Sequence, residues 1–421
     1  MNKINETYAV QFLSRPSLYV KSAVLPISAN GYVINYADGH SALCGTSGVW
    51  NTALGYGNKA IAEAIHQAAL DASYLSLFRT SNYYAEQAAE QLLQLSKWDY
   101  KKILFSTSGS AAVDTALKIC RFRDALQNRF SRKLVVSIRG SYHGMTLAAM
   151  SVGGQDLGQK IHQISQSNIR LIDRWNPNDI VKLLQISGDQ INAVIIEPVL
   201  GSGTLPVNTK VIQEIIKGRS LYGYSIIADE VATGFGRTGP MYASEEWNEQ
   251  PDLLITSKAL TNGTIAASAI FISKDLYSIF ECNDVPIYHA ETQAGSPISC
   301  AAISATIKQF ASLDVLSQGL NVSQHVTNWL EYFSESFRGC FREGVGCFQS
   351  LHLVNGDGDE LASESISSIV EHCRASGATV YPGPSAIQFI PALTYPQEML
   401  DTYFSHIEDV LRKDIGLKSE S

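Results

Sequence analysis

Hydrophobic residues fall along this chain in two alternating rhythms. Short continuous apolar runs recur: "KKILFS" (101–106), "KLVVSI" (133–138), "NIRLI" (168–172), "AVIIE" (193–197), "YSIIAD" (224–229), "DLLIT" (252–256) and "ASAIFI" (267–272). They are too short for helices and too continuous for half-exposed strands, so they predict strands buried on both faces. Between them lie stretches with apolar positions three and four apart, clearest in "TKVIQEIIKGRSLY" and in "AVDTALKICRFRDAL", which follows "KKILFS" through "TSGSA". Two more helical patterns, residues 58–72 and 81–98, precede the first run. Alternating βα units of this kind predict an α/β protein with a mostly parallel sheet covered on both faces.

The rhythm changes near residue 297. "PISCAAISATIKQFA", "LNVSQHVTNWLEYFSESFR", "SESISSIVEHCRAS" and "PQEMLDTYFSHIEDVL" read as helices, and "CFQSLHLV", "ATVYPG" and "AIQFI" as strands. Residues 1–40 read as irregular apart from a strand-like "YVINYADG". The expected division is an N-terminal segment, 1–44, packing with a small α+β C-terminal domain, 316–421, and a large α/β domain, 45–315.

Composition excludes more than it identifies. The chain has 421 residues, 45% hydrophobic and 17% charged, enough to bury a large core. A net charge of -8 offers no electrostatic footprint for nucleic acid or an anionic membrane. No run approaches the roughly 20 apolar residues of a membrane helix, and "MNKINETYAVQFL" lacks the apolar core of a secretory signal. The seven cysteines are scattered without metal-ligand spacing. Reduced thiols, a cytoplasmic protein and no bound metal are the expectation.

The chemistry is sought at the carboxyl ends of the strands, where open parallel sheets bind ligands. After "KILFS" comes Thr107-Ser108-Gly109-Ser110, small residues opening a helix, where amides and dipole favour a phosphate. Tyr142 and His143 follow the second run, Glu197 the fourth, Asp229 the fifth and Lys258 the sixth. Each has an ordinary reading: a serine cap, a packing tyrosine, an aspartate paired with a nearby arginine such as Arg237, a surface lysine. Glu197 is structural or catalytic on this stretch alone. Taken together, a phosphate cradle, a stacking aromatic, a strand-end carboxylate and a desolvated lysine match what pyridoxal phosphate needs.

The same stretches carry a resemblance. "STSGSAAVDTALK", "GSYHGMTLAAMSVGG", "EPVLGSG", "IIADEVATGFGRTGPMYASE", "PDLLITSKALTNG" and "AETQAGSPISCAA", in this order, resemble the class III aminotransferases of fold type I, nearest to their diaminopelargonate-synthase-like branch. The resemblance implies a fold type I transferase with a mostly parallel seven-stranded sheet and a small α+β domain. It implies pyridoxal 5'-phosphate as cofactor and a homodimer with shared active sites. It lends Gly109 and Ser110 the cofactor phosphate, Tyr142 the ring face with His143 beside it, Asp229 the pyridinium nitrogen, Val231 the other ring face, and Lys258 the Schiff base and the proton transfer. Thr292 would reach the phosphate of the partner subunit. Trp50 and Tyr142 would line the substrate pocket, although a core role for Trp50 is the plainer expectation.

The departures concern the substrate. Ala111 stands where the family often has Glu, Ala232 where it has Gln, and Gly295-Ser296-Pro297 where it has Gly-His-Pro. Many relatives grip a substrate carboxylate with a C-terminal arginine. Residues 381–400 contain none, and the nearest upstream is Arg374 on a predicted helix. The expectation is an aminotransferase passing an amino group from a small-molecule amine to a ketone or aldehyde lacking a nearby carboxylate, such as a modified peptide terminus. The alternatives are a diaminopelargonate-synthase-like or other omega-aminotransferase, an aminomutase on the same scaffold, a non-catalytic cofactor-binding protein, and a nucleotide-binding enzyme. The last is poorest, because "TSGSA" lacks the ending of a P-loop.

Overall fold

The computed structural model describes residues 9–15, 25–355 and 357–416. All seven apolar runs form strands of one sheet, in the order Tyr100–Ser106, Ser268–Ser273, Leu253–Thr256, Ser225–Asp229, Ile191–Ile196, Leu134–Ile138, Ile169–Ile172. The four strands from Leu253–Thr256 to Leu134–Ile138 are buried at every position. That explains why they read as continuous apolar runs rather than as alternating ones.

One strand breaks the parallel rule. Ser268–Ser273 runs antiparallel to both of its neighbours, while every other adjacent pair is parallel. The reason lies in its connection. Residues 257–267 hold only the short 3-10 turn Lys258–Thr261, and a parallel return needs a crossover of a dozen or more residues, usually with a helix. The chain therefore doubles back, and the lysine sits in the reversal.

The helix Gly109–Leu126 covers one face of the sheet, where Val113, Ala116 and Cys120 share a buried cluster with Leu276 and Phe280 of the helix Lys274–Asn283. On the other side Pro297–Ser312 packs against Lys59–Asp71 and Tyr83–Leu95. The C-terminal part is an antiparallel sheet in the order Cys340–Val345, Phe348–Leu353, Ala386–Phe389, Tyr381–Gly383, with the helices Val315–Ser336, Ser363–Ser376 and Gln397–Asp414.

Two elements differ from the sequence reading. Residues 26–44 are three antiparallel strands, Pro26–Asn30, Val33–Tyr36 and Ser41–Cys44, and the last pairs in parallel with Ala378–Thr379. The strand Cys340–Val345 was not anticipated, because it is only partly buried and carries a glycine. No helix among the described residues is long and apolar enough to cross a membrane. All seven cysteines are free, and only Cys282 is exposed.

Candidate active site

Five strand ends deliver the site. Ser106, Ile138, Ile196, Asp229 and Thr256 close the parallel strands at one edge of the sheet, and the chemistry-bearing residues follow within a few positions. Asp229 is the last residue of its strand and is buried. Its Oδ2 lies 2.7 Å from Nδ1 of buried His143, and Oδ1 accepts the Val231 amide at 3.2 Å. His143 Nε2 lies 3.2 Å from Ser137 Oγ. Burial alone would lower the imidazole pKa, but the hydrogen bond and charge of Asp229, with Glu197 beyond, outweigh it and raise it. The sequence reading paired Asp229 with an arginine as its structural alternative; the structure pairs it with His143.

Glu197 is buried one residue beyond its strand, with Oε2 accepting the Tyr142 amide at 2.8 Å and Oε1 the Gly201 amide at 3.0 Å. Burial pushes its pKa above the usual carboxylate range, while the charge on His143 and the two amides pull it back and Asp229 adds to the rise. The Tyr142 ring itself is 36% exposed, free to meet a ligand.

Lys258 stands opposite. It adopts φ +46, an unusual left-handed conformation for a non-glycine residue. Its ammonium meets no carboxylate within ion-pair distance; Nζ lies 4.2 Å from the centre of the Trp50 ring. Desolvation lowers its pKa to about 8, against the pull of Glu197 and Asp229 and with help from the positive charge of Arg237. The amine therefore gives up its proton far more readily than a surface lysine.

This depression is also a stability statement. The folded pKa is lower than the unfolded one, so between about pH 8 and 10.5 the unfolded chain binds the extra proton. The contribution of Lys258 to the stability of the cofactor-free protein should rise with pH across that window. Lys258→Met should remove that contribution and stabilise the cofactor-free protein at pH 7 by roughly 1–3 kcal/mol, because no charge is then buried. Urea unfolding at pH 7 and pH 10 checks both; an unchanged pH slope would contradict the assignment.

Trp50 is held over the lysine by a constrained segment. Ser47, Gly48 and Trp50 all have positive φ, at 48°, 71° and 68°. Ser47 Oγ donates to Ile390 O at 2.8 Å, and Asn262, just past the lysine, binds Leu54 N and Gly55 O at 2.9 Å. The indole packs with Val199, Ala232, Phe348, Ile390 and Tyr381. A Cβ on Gly201 would come within 2.9 Å of it, so only glycine fits there. Trp50 is thus both a core residue and a wall of the site, with its Nε1 buried and unpaired.

The anion cradle is equally specific. Ser108 caps the helix Gly109–Leu126 by accepting the Ala111 amide, so Gly109 and Ser110 lead the helix with amides that have no partner in it. A Cβ on Gly144, which has φ +122, would fall 2.0 Å from Ser110 Oγ, and one on Gly109 would lie 3.1 Å from Val231. Gly144 therefore has to be glycine, and a side chain at Gly109 would crowd Val231.

One residue was undervalued in the sequence. Arg237 is 1% exposed and has no carboxylate partner among the described residues. Nη1 donates to Pro391 O, Nη2 has no partner, and burial lowers its pKa to about 10. The signal was its place in the glycine run 234–239, whose turns bury the side chain. Arg374, by contrast, pairs with Glu371 on the helix Ser363–Ser376, and its guanidinium lies over the Tyr36 ring. Thr292 is exposed, with no hydrogen bond to the cluster among the described residues.

A buried amine of lowered pKa at a sheet edge, flanked by an anion cradle and a buried acid, belongs to an α/β enzyme that works through a carbonyl cofactor. The residues fit that group: the amine is unpaired, and the cradle admits no side chain where an anion would approach. The Aminotransferase class-III family model matches residues 18–411, and the chain belongs to that family. It is a pyridoxal-phosphate-dependent aminotransferase.

Relatives place it more finely. It is 26% identical over 413 residues to an adenosylmethionine-8-amino-7-oxononanoate aminotransferase of Staphylococcus aureus, covering 91% of this chain and 90% of the other. It is 24% identical to an omega-amino acid--pyruvate aminotransferase of Pseudomonas putida, covering 94% and 93%. Among solved structures, an amine transaminase from an uncultivated Pseudomonas species, in its PLP-bound form, superposes with a TM-score of 0.91 at 25% identity, covering 97% of this chain and 99% of that one.

Proposed function

We propose that this aminotransferase takes small amines whose reacting carbon carries no carboxylate, or carries one at a distance. One observation supports this most: the C-terminal stretch brings Tyr381 and not an arginine to the site, where its ring lies 5.7 Å from Trp50. The arginine whose charge reaches Lys258 is Arg237, buried and with one free donor, Nη2. It suits a carboxylate set back from the reacting carbon, as in an omega-amino acid. The relatives compared above are named for small molecules, so a peptide-borne carbonyl gains no support.

Pyridoxal phosphate, when bound, carries the amino group between donor and acceptor and draws off the electrons left at the donor carbon. Gly109 and Ser110 would hold its phosphate with their amides, with Tyr142 and Val231 flanking the ring. Asp229, oriented by His143, would keep the ring nitrogen protonated. Lys258 Nζ would hold the aldehyde and, once freed, take the proton from the donor's amine-bearing carbon. Thr292 would serve the phosphate of the partner subunit in a homodimer. In this reading residues 45–315 carry the cofactor groups, and residues 1–44 and 316–421 form the smaller body beside them.

The test is a single-turnover panel followed by absorbance, with β-alanine, 1-phenylethylamine and glutamate as donors. The first two should discharge the yellow form faster than glutamate. Arg237→Met should raise KM for β-alanine about tenfold or more, and more than for 1-phenylethylamine. Efficient use of glutamate and 2-oxoglutarate in both half-reactions would sink the proposal.

A further inference from the structure

The loop that presents Gly109 and Ser110 is fixed by a carboxylate far away in the sequence. Glu291 Oε2 accepts the Thr107 amide at 3.0 Å and the Thr107 hydroxyl, and Oε1 accepts the Ser106 hydroxyl. His289 Nε2 lies 3.1 Å from the same Oε1 and 2.9 Å from Thr115 Oγ1, and Lys118 Nζ lies 3.2 Å from His289 Nδ1. Thr115 and Lys118 belong to the helix that Gly109 begins. On the other side, Ser268 Oγ donates to Ser108 O at 2.9 Å. The capping serine, Ser108, and the two residues before it are thus pinned from two directions.

We propose that Glu291 is a positioning residue for the cofactor phosphate: it sets the Ser106–Thr107 strand end so that the Gly109 and Ser110 amides converge on the anion. Three physical points support it. First, a carboxylate taking a backbone amide and two hydroxyls makes charge-assisted bonds, stronger than neutral ones. Second, those bonds turn the Ser106 and Thr107 hydroxyls toward Glu291, leaving the helix-start amides to hold the phosphate. Third, although burial would raise the Glu291 pKa, the bonds from Ser106, Thr107 and His289 outweigh it and lower it, so the group stays ionised at neutral pH. Glu291 comes from a segment with neither helix nor strand, 184 residues beyond Thr107, so nothing local would make this turn without it.

The inference rests on the proposed phosphate role of Gly109 and Ser110, and its test separates the two. Full-chain cofactor-free protein is titrated with pyridoxal phosphate and with pyridoxal, which has the aldehyde and ring but no phosphate. Wild type should bind the phosphate ester far more tightly. If it shows no such preference, the phosphate reading of the loop fails first. In Glu291→Ala, affinity for pyridoxal phosphate should fall about tenfold or more, with pyridoxal changed less than twofold. Glu291→Gln, which keeps an acceptor for the Thr107 amide, should recover part of the loss and serves if the alanine variant does not fold. Equal losses for both ligands, or no loss for either, would overturn the role of Glu291.

Discussion

Lys258→Ala is expected to abolish turnover, by about four orders of magnitude or more, and to remove the absorbance of the bound cofactor. The size follows from two roles in one atom. In the proposed reading Nζ would hold the aldehyde covalently and then carry the proton from the donor carbon; proton transfer alone is worth roughly 10²–10⁴, and covalent capture adds to it. Capture of the aldehyde needs the neutral amine, whose share the lowered pKa of about 8 enlarges. The rate at which cofactor-free wild type takes up pyridoxal phosphate should therefore rise through pH 8, with no covalent uptake by the variant. The measurements are uptake rates from pH 6.5 to 9.5, steady-state turnover and an absorbance spectrum of the purified variant. Substantial turnover in Lys258→Ala would refute the assignment. Restoration of partial activity by added small primary amines would support it, since they could stand in as proton carriers.

Asp229→Asn should be nearly as damaging, by a different route. The substitution keeps the shape but replaces a buried carboxylate, 2.7 Å from His143, with a neutral amide. The asparagine cannot hold a protonated ring nitrogen by charge, so the electrons left at the donor carbon have a poorer sink. A loss of about 10²–10⁴ in kcat is expected, larger than the loss in cofactor affinity. His143 loses the partner whose bond and charge raise its pKa, and burial then favours its neutral form. Asp229→Ala should add a stability cost of roughly 1–3 kcal/mol, because it leaves the buried His143 ring nitrogen and the Val231 amide without their acceptor. Normal kcat in Asp229→Asn with a wild-type absorbance spectrum would remove the electronic role and leave Asp229 as a loop-holding residue.

These two residues were legible in the sequence for a simple reason. A strand buried on both faces shows as an apolar run, and the first polar residue after it must lie at the sheet edge. Ser106 and Asp229 close their strands, Glu197 follows its strand by one position and Lys258 by two. Helix starts are equally local, since Ser108 and the glycine after it encode their own cap. The βα alternation therefore carried both the parallel sheet and the edge where the site lies. The helix Thr209–Tyr222 matches the stretch whose 3.6-residue spacing predicts it, to the residue.

Other features depend on partners distant in sequence. The strand Ser41–Cys44 carries no clear local signal, and one of its two pairing partners, Ala378–Thr379, lies over three hundred residues on. The antiparallel strand Ser268–Ser273 has the same apolar signature as its parallel neighbours; only the length of the lysine turn decides its direction. Arg237 looked like a loop arginine, and its burial without a carboxylate comes from the packing of residues 316, 391 and 393 around the glycine turn. Trp50 could be a core residue or a pocket wall on sequence grounds, and the fold makes it both. The sequence by itself determined the sheet, the edge that carries chemistry, and the residue types at that edge, because burial and capping are written locally. Only the tertiary structure decided that His143 orients Asp229, that Trp50 covers Lys258, and that Glu291 reaches Thr107, because each contact joins segments whose spacing in sequence carries no information about their distance in space.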